Sequence, residues 1–351
     1  TAWSDLRKKN GHEKPYGIKT WCLGNEMDGP WQICHLEADD YGKKAREAIK
    51  MMKWTDDKIQ TVVCGSASTS MPTYPEWDRI VLEHTYDVAD YISIHRYFEN
   101  KGDDDDFLAS FYDMEQFIKT SIATCDYVKA LKRSNKTMYL SFDEWNIWCQ
   151  SKLESHPWME APRILEDHYS LLDALAFGGM AIMLLNHADR VKVACLAQLV
   201  NVIAPVFTEP GKGAYKQSIY FPFRDISVYG RGTVLTPIVK TTNKITKAYG
   251  EVPNVIFSAI YNEECDEVSV FALNTNKNEN SETEINLGSF GNTEMIFRSE
   301  LCGKDLSAKN SLENPDAVKP QEVQLSQAEK SLYNLTLKPA SWNVIRFKVN
   351  K

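Results

Sequence analysis

The hydrophobic residues of this chain follow two different patterns, and the change between them lies near residue 232. In the first part, short apolar runs alternate with longer segments whose apolar residues recur every three or four positions. Short apolar runs predict buried strands, and the periodic segments predict amphipathic helices. The predicted strands are 18–24, 61–65, 91–97, 137–146 and 181–187, and the predicted helices are 37–54, 76–85, 107–132 and 164–177. Strands that alternate with helices indicate right-handed βαβ units and a parallel sheet.

The second part of the chain, from Thr233 onward, consists of short β-branched runs separated by turns rich in Asn, Gly and Asp. Such runs predict an antiparallel β-sandwich. The predicted strands are 255–261, 267–272, 283–287, 294–299, 331–337 and 342–349. The sequence therefore predicts two domains, an α/β domain over residues 1–232 and an all-β domain over residues 233–351. Residues 188–230 are predicted to form a loop with short helices, and the acidic run 103–106 a solvated loop.

The composition excludes several classes of function. Hydrophobic residues make up 43% of the chain and charged residues 25%, as in an ordinary globular protein. The net charge of −8 argues against nucleic acid or an anionic membrane as a partner. No apolar run reaches the roughly 18 residues of a membrane-spanning helix. The 8 cysteines are scattered without metal-ligand spacing, which predicts reduced thiols and a cytoplasmic protein. No phosphate-binding loop or metal-ligand cluster is present, so no cofactor and no metal are predicted.

Two of the predicted strands end beside a glutamate. The run 18–23 is followed by Asn25 and Glu26, and the run 138–142 is followed by Glu144. In a barrel of parallel strands, the C-terminal strand ends converge on one mouth, where catalytic residues lie. Two carboxylates at that mouth are what a glycosidase requires, one as acid/base and one as nucleophile or base. The alternative is that both are structural residues that merely end strands.

Longer motifs around these carboxylates resemble those of one enzyme family, the α-L-arabinofuranosidases of glycoside hydrolase family 51. The motif WCLGNEMDGPWQ at 21–32 resembles the family's acid/base segment, and SFDEWN at 141–146 resembles its nucleophile segment. The motifs NHADRVK at 186–192 and LAQLVNV at 196–202 are similar to the family's later segments. The resemblance covers most of the chain and weakens after about residue 250.

This resemblance implies a fold and an assembly. Family members have a (β/α)8 TIM barrel followed by a jelly-roll β-sandwich. Five of the eight barrel strands are visible here, and the matching region starts just before the family's fourth strand. We therefore expect a fragment, a processed chain, or one piece of a two-chain protein with a separate N-terminal portion. Intact family members commonly form hexamers, so a homo-oligomer is expected, and the reaction needs no cofactor.

The resemblance also implies roles for seven residues. Because the family retains anomeric configuration, Glu144 is expected to be the nucleophile and Glu26 the acid/base. His95 and Tyr97 alternate along the third strand and so face the same side of the sheet. The family's matching residues imply that Tyr97 supports the nucleophile, His95 lines the pocket, Asn25 and Gln198 bond sugar hydroxyls, and Trp148 stacks on the leaving group. For each residue a structural role is the alternative: a turn asparagine, a core histidine, a packing tryptophan or a surface glutamine.

The predicted function is that of a retaining α-L-arabinofuranosidase. It would remove terminal non-reducing arabinofuranosyl groups from arabinan, arabinoxylan or their oligosaccharides by double displacement. One alternative within enzymes is a related retaining hydrolase, a β-xylosidase or an endoglucanase, which rates on aryl arabinofuranosides and aryl xylosides would distinguish. The alternative from another class is an inactive fragment of such an enzyme.

Overall fold

The computed structural model of the protein describes residues 1–149, 158–326 and 331–350. Helices and strands alternate through the first part of the chain, as the hydrophobic pattern predicts. The elements are α1 (Ala2–Lys9), β1 (Thr20–Cys22), α2 (Ala38–Thr55), β2 (Gln60–Cys64), α3 (Glu76–Thr85), β3 (Tyr91–Phe98), α4 (Asp104–Leu108), α5 (Ser110–Leu131), β4 (Tyr139–Ile147), α6 (Leu171–Asn186), β5 (Val191–Leu196), β6 (Val206–Glu209), β7 (Gly213–Lys216) and α7 (Tyr220–Tyr229).

Strands β1 to β5 form one sheet in sequence order. β1 pairs in parallel with β2, and β2 pairs in parallel with β3. Gly65 directly follows β2, and a Cβ at this position would lie 2.3 Å from the backbone oxygen of Ser93 on β3. The Gly65 N–H donates to that oxygen at 2.8 Å, so only glycine permits this close approach. Because β1, β2 and β3 are parallel, their carboxyl ends lie at one edge of the sheet.

The fifth strand does not lie where the sequence predicts it. The predicted strand 181–187 is wrong, because these residues belong to the C-terminal half of helix α6 and its cap, His187. α6 is buried on nearly every face, so its apolar residues leave no helical period to detect. It begins at Leu171 rather than at 164, where Ser170 and Asp173 form a capping box. The true fifth strand, β5, lies in a segment that was predicted to be loop.

The acidic run before α5 is also part of a helix rather than a solvated loop. The carboxylate of Asp103 accepts hydrogen bonds from the N–H groups of Asp105 and Asp106, and these residues form the first turn of α4. Negative charge is stabilised at a helix N-terminus, which explains why four consecutive aspartates can start a helix. The predicted helix 107–132 is divided at Ala109, the residue that ends α4.

The rest of the chain is an all-β structure. Its strands are β8 (Thr233–Leu235), β9 (Asn243–Thr246), β10 (Gly250–Pro253), β11 (Val255–Asn262), β12 (Glu267–Asn274), β13 (Ser281–Asn286), β14 (Asn292–Leu301), β15 (Gln321–Glu322), β16 (Leu332–Leu337) and β17 (Ser341–Asn350). Six of them form a sheet in the order β15-β14-β17-β12-β11-β8, and β13 pairs with β16. Val270, Ile345, Phe347 and Tyr333 belong to one buried core that the two sheets share.

The chain forms two compact units, which differ from the two predicted domains. The first comprises Thr1–His95 and Thr120–Phe142, and the second comprises Arg96–Lys119 and Asp143–Lys351. The predicted domain boundary between residues 232 and 233 stays a prediction.

Asp78 is a buried carboxylate that links α3 to the end of β2. It is 1% exposed, and its Oδ1 accepts hydrogen bonds from the Ser66 N–H at 2.7 Å and the Ser66 hydroxyl at 2.9 Å. Burial outweighs these bonds and raises the pKa of Asp78 to about 7. Because the native state binds this proton more tightly than the unfolded chain does, ionisation of Asp78 destabilises the fold as the pH rises from about 4 to about 7.

The Asp78→Asn variant is therefore expected to lose less free energy of unfolding than wild type between pH 5 and pH 8. Asn keeps the acceptor oxygen without the charge, so wild type should lose up to about 4 kcal/mol more than the variant over the full titration of Asp78. Urea unfolding at several pH values measures this difference. Asp57→Asn, at an exposed position, is the control and should follow wild type. Parallel pH curves for wild type and Asp78→Asn would contradict the prediction.

Candidate active site

The segment after β1 forms a turn that positions Glu26. Gly24 has a φ of 118° and Glu26 a φ of 44°. A residue other than glycine pays about 1–3 kcal/mol for such a left-handed backbone. The Glu26 carbonyl accepts a hydrogen bond from the Gly29 N–H at 2.8 Å, which closes the turn. Strain of this kind is typical of residues that are held in place for function.

Both carboxylate oxygens of Glu26 accept hydrogen bonds. His95 Nδ1 lies 3.1 Å from Oε1, and the indole N–H of Trp31 donates to Oε2 at 2.6 Å. Because an ionised carboxylate can only accept, Nδ1 is the donor to Oε1, and His95 Nε2 lies 3.1 Å from the Ser93 hydroxyl. His95 is 5% exposed, which makes it a fixed partner on β3.

These hydrogen bonds determine the protonation state of Glu26. Burial acts to raise its pKa, but hydrogen bonds from His95, Trp31 and Gln32 outweigh burial, and the pKa lies below its usual range. Glu26 is therefore held as an ion in this arrangement. A general acid must carry a proton, so the arrangement has to change before Glu26 can donate one.

The turn is attached to its neighbours by buried polar side chains. The Tyr41 hydroxyl donates to the Leu23 carbonyl at 2.9 Å and accepts from the Cys64 N–H at 2.8 Å. Asp28 is 8% exposed, and its Oδ2 accepts from the Ala67 N–H at 3.0 Å. Burial raises the pKa of Asp28 above its usual range. These contacts fix the position of the turn relative to β2.

The second candidate carboxylate, Glu144, lies near the C-terminal end of β4. The hydroxyl of Tyr97, on β3, donates to Glu144 Oε1 at 2.6 Å. A short bond of this kind to a carboxylate is charge-assisted and orients the acceptor. The Tyr97 and Trp148 rings meet edge to face with centroids 5.3 Å apart. Tyr97 therefore contacts both Glu144 and the tryptophan that follows β4.

A cavity of about 400 Å³ lies beside this group in the second unit. Tyr97 and Trp148 line it, together with the ion pair of Arg96 and Asp113, whose Nη2 and Oδ2 atoms are 2.6 Å apart. Tyr249 adds a further aromatic side chain. The Trp148 indole N–H is buried and has no hydrogen-bond partner among the described residues. A cavity with aromatic walls and a few polar groups is suited to a sugar ring.

Gln198 and Asn25 are both exposed beside strand ends. Gln198 follows β5, and Asn25 precedes Glu26 in the turn after β1. Asn146, which is fully buried on β4, donates to the carbonyls of Ala197 at 2.7 Å and Ile203 at 2.5 Å. Asn146 therefore fixes the backbone that carries Gln198.

Comparisons with known proteins identify the family. The sequence profile of the alpha-L-arabinofuranosidase C-terminal domain matches residues 143–341, and that of the alpha-L-arabinofuranosidase 1 domain matches residues 1–133. The intracellular exo-α-(1→5)-L-arabinofuranosidase 1 of Bacillus subtilis (strain 168) is 47% identical over 99% of this chain and 70% of that protein. The structure of a family 51 α-L-arabinofuranosidase from Bifidobacterium longum is similar, with a TM-score of 0.93 and 34% identity over 99% of this chain and 70% of that chain. The chain belongs to glycoside hydrolase family 51.

The predicted family and fold class are thereby confirmed. A second structure, the arabinose complex of the Thermotoga maritima α-L-arabinofuranosidase, has a TM-score of 0.82 and 29% identity over 99% of this chain and 69% of that chain. The prediction that the chain is an α-L-arabinofuranosidase is likewise confirmed by its membership of the family, and neither a β-xylosidase nor an endoglucanase is favoured. None of the helices in the described part of the chain is long and apolar enough to cross a membrane.

Three residues that contact the candidate side chains or their backbone were not singled out for these contacts from the sequence. They are Ser93, which orients His95, Asn146, which fixes the loop after β5, and Trp31, which binds Glu26. Trp31 lies within the motif that carries the family resemblance, so its presence was visible. Its hydrogen bond was not, because that bond depends on how the turn after β1 closes.

Glu26 and His95 in the first unit, and Glu144 in the second, are residue types that can ligate a metal. Each carboxylate already accepts a hydrogen bond from a protein donor, and the His95 ring uses both nitrogens in hydrogen bonds.

Proposed function

We propose that this family 51 enzyme is a retaining, exo-acting α-L-arabinofuranosidase, with Glu144 as nucleophile and Glu26 as acid/base. The observation that carries the assignment is that each carboxylate is bound by a side chain of the same strand. His95 binds Glu26 and Tyr97 binds Glu144. Alternate residues of a strand face the same side, so both carboxylates are proposed to flank one sugar. A retaining mechanism would place them roughly 5–5.5 Å apart.

In the first step a Glu144 oxygen attacks the anomeric carbon of the arabinofuranosyl group. The bond from that carbon to the glycosidic oxygen breaks, and the proton on Glu26 moves to the departing oxygen. Tyr97 orients Glu144 for this attack. The products of the step are a glycosyl ester on Glu144, the free alcohol, and an ionised Glu26.

In the second step water attacks the same carbon from the side that the alcohol left. Glu26 takes a proton from this water, the ester bond breaks, and Glu144 returns to a carboxylate. Two inversions give net retention. Asn25 and Gln198, both exposed beside strand ends, are proposed to bond sugar hydroxyls and to hold the ring during both steps.

Transfer to methanol tests the proposed mechanism. An aryl α-L-arabinofuranoside is hydrolysed in the presence of methanol, and the methyl glycoside is examined by NMR. Retention predicts methyl α-L-arabinofuranoside as the first product. The β anomer as first product would contradict the proposed double displacement.

The natural substrate is proposed to be an α-(1→5)-linked arabino-oligosaccharide. The B. subtilis relative is named for that linkage, whereas a B. longum relative at 40% identity over 99% of this chain is named an exo-α-(1→6)-L-arabinofuranosidase. Rates on matched (1→5)- and (1→6)-linked disaccharides distinguish the two linkages. A higher kcat/KM on the (1→6) disaccharide would contradict the proposed preference.

Trp148 is proposed to bind the sugar on the leaving-group side. It lines the cavity beside Tyr97, where its ring is available to a ligand. Trp148→Ala is expected to lower kcat/KM for an arabino-oligosaccharide about ten-fold, since a sugar–aromatic stack contributes roughly 1.4 kcal/mol. Hydrolysis of arabinofuranosyl fluoride, which has no leaving-group ring, should change less than about three-fold.

Steady-state kinetics of both substrates measure this split. Trp54→Ala, at an exposed position on α2, is the control and should leave both rates unchanged. An equal loss on the fluoride and the oligosaccharide would place Trp148 outside the leaving-group side.

We also propose that the enzyme acts in the cytoplasm as a homo-oligomer. The first relatives are named intracellular, and the eight scattered cysteines of the sequence suit a reducing compartment. The hexamer is carried over from the family resemblance alone. Light scattering of the purified protein tests it, and a monomer at micromolar concentration would contradict it.

A further inference from the structure

In the observed arrangement each oxygen of Glu26 contacts one side chain: Trp31 Nε1 donates to Oε2, and His95 Nδ1 lies against Oε1. The imidazole can change tautomer, so Nδ1 can accept from a proton on Oε1 while Nε2 donates to the Ser93 hydroxyl. The indole N–H can only donate, so a proton on Oε2 would face another donor. The hydrogen bond from Trp31 must therefore break before Oε2 can carry a catalytic proton.

Trp31 is the partner that can move. It is 57% exposed, whereas His95 is 5% exposed and lies within a paired strand. The ring rests on the backbone of Gly29, where a Cβ would lie 2.4 Å from Trp31 Cε2. Only the absence of a side chain at position 29 lets the indole reach Glu26. The contact is thus specific to this turn, and the ring can swing outward without disturbing a packed core.

We propose that Trp31 is a positioning residue that holds Glu26 as a carboxylate until a sugar binds on the leaving-group side, and that this sugar displaces the indole from Oε2. This inference rests on the proposed role of Glu26 as acid/base. When the indole leaves, Oε2 takes a proton from solvent and directs it to the glycosidic oxygen. The second step returns a proton to Glu26 from water, and it goes to solvent when the indole rebinds after product release.

The other ionisable groups near Glu26 bear on the pH dependence. They are His95 on β3 and Asp28 in the same turn, and the proposed mechanism adds Glu144 across the sugar. None of these is changed by Trp31→Phe, which removes the N–H donor and keeps an aromatic ring. A change in the basic limb of activity can therefore be assigned to the lost hydrogen bond.

Two pH profiles of Trp31→Phe test the proposal. The profile of kcat/KM reports the free enzyme, and that of kcat reports the enzyme–substrate complex. With methyl α-L-arabinofuranoside, whose poor leaving group makes the first step rate-limiting, the basic limb of kcat/KM should move up by about one pH unit. The basic limb of kcat should stay where it is, because the indole has already left in both enzymes.

A second variant and a matched control complete the experiment. Gly29→Ala should push the ring off Glu26 and shift the kcat/KM limb in the same direction. Trp21→Phe removes an exposed indole N–H that donates to the Ile18 carbonyl, and it should leave both profiles unchanged. If both limbs of Trp31→Phe move together, the indole stays bound during turnover and the proposal is wrong. If neither limb moves, the hydrogen bond does not control Glu26, and the proposal is again wrong.

Failure of the proposed function would appear differently. Glu26→Gln should lose hydrolysis of the methyl glycoside while it keeps the first step with an activated aryl glycoside. If Glu26→Gln still hydrolyses the methyl glycoside, Glu26 is not the acid/base. If it loses that activity but Trp31→Phe matches wild type in both profiles, only the inference about Trp31 fails.

Discussion

Replacing Glu144 by alanine is expected to lower kcat/KM at least about 10⁴-fold on every arabinofuranoside, a loss of roughly 5.5 kcal/mol of transition-state stabilisation. The reason is that the variant has no nucleophile, so neither good nor poor leaving groups can be displaced. Steady-state hydrolysis of aryl and methyl arabinofuranosides measures the loss. Azide added to the variant should occupy the vacated space, attack from that side, and give the β-configured arabinofuranosyl azide.

Tyr97→Phe is a milder change that affects the same carboxylate. It removes only the 2.6 Å hydrogen bond to Glu144 and should cost about 10- to 100-fold, as expected for a bond to a charged group. If Glu144→Ala keeps more than a hundredth of wild-type activity, or if azide yields the α anomer, Glu144 is not the nucleophile.

Replacing Glu26 by alanine is expected to separate substrates by leaving group. With the methyl glycoside, loss of the general acid should lower kcat/KM by about 10³-fold or more. With a dinitrophenyl glycoside the first step needs no proton, so it should proceed within about ten-fold of wild type while hydrolysis of the glycosyl-enzyme becomes slow. Rapid-quench kinetics should therefore show a burst of phenol followed by a slow steady state.

Azide also tests this second variant, with the opposite stereochemical result. It should attack the glycosyl ester on Glu144 from the side that Glu26 leaves open and give the α-configured azide. The two variants thus form a pair in which exchanged roles would exchange the products. A uniform loss on all substrates, without a burst, would remove Glu26 from the acid/base role.

Local sequence patterns predict many of the helices and strands. Helix α3 and strands β2, β3 and β4 lie within two residues of their predicted bounds, because each has a clear period or a compact apolar run. Helix α6 was misassigned because burial on all faces removes the period from its sequence. The capping box at Ser170 and Asp173 was the signal that could have located its start.

The candidate site likewise has residues that the sequence predicts and contacts that it does not. Glu26, Glu144, His95 and Tyr97 follow from strand ends, alternation and the family motifs. The choice of partner for each carboxylate does not follow, because it depends on backbone geometry that the sequence does not encode locally. The left-handed turn at Glu26 and the bare backbone of Gly29 together bring Trp31 to Oε2. That contact exists only in the folded chain.

The most direct test is to capture the covalent intermediate. Glu26→Ala is mixed with a dinitrophenyl α-L-arabinofuranoside, quenched in acid, digested, and analysed by mass spectrometry. We expect one anhydropentose on the peptide that contains Glu144, attached through its carboxylate. An unlabelled protein after a full burst of phenol, or a label on any other residue, would contradict it.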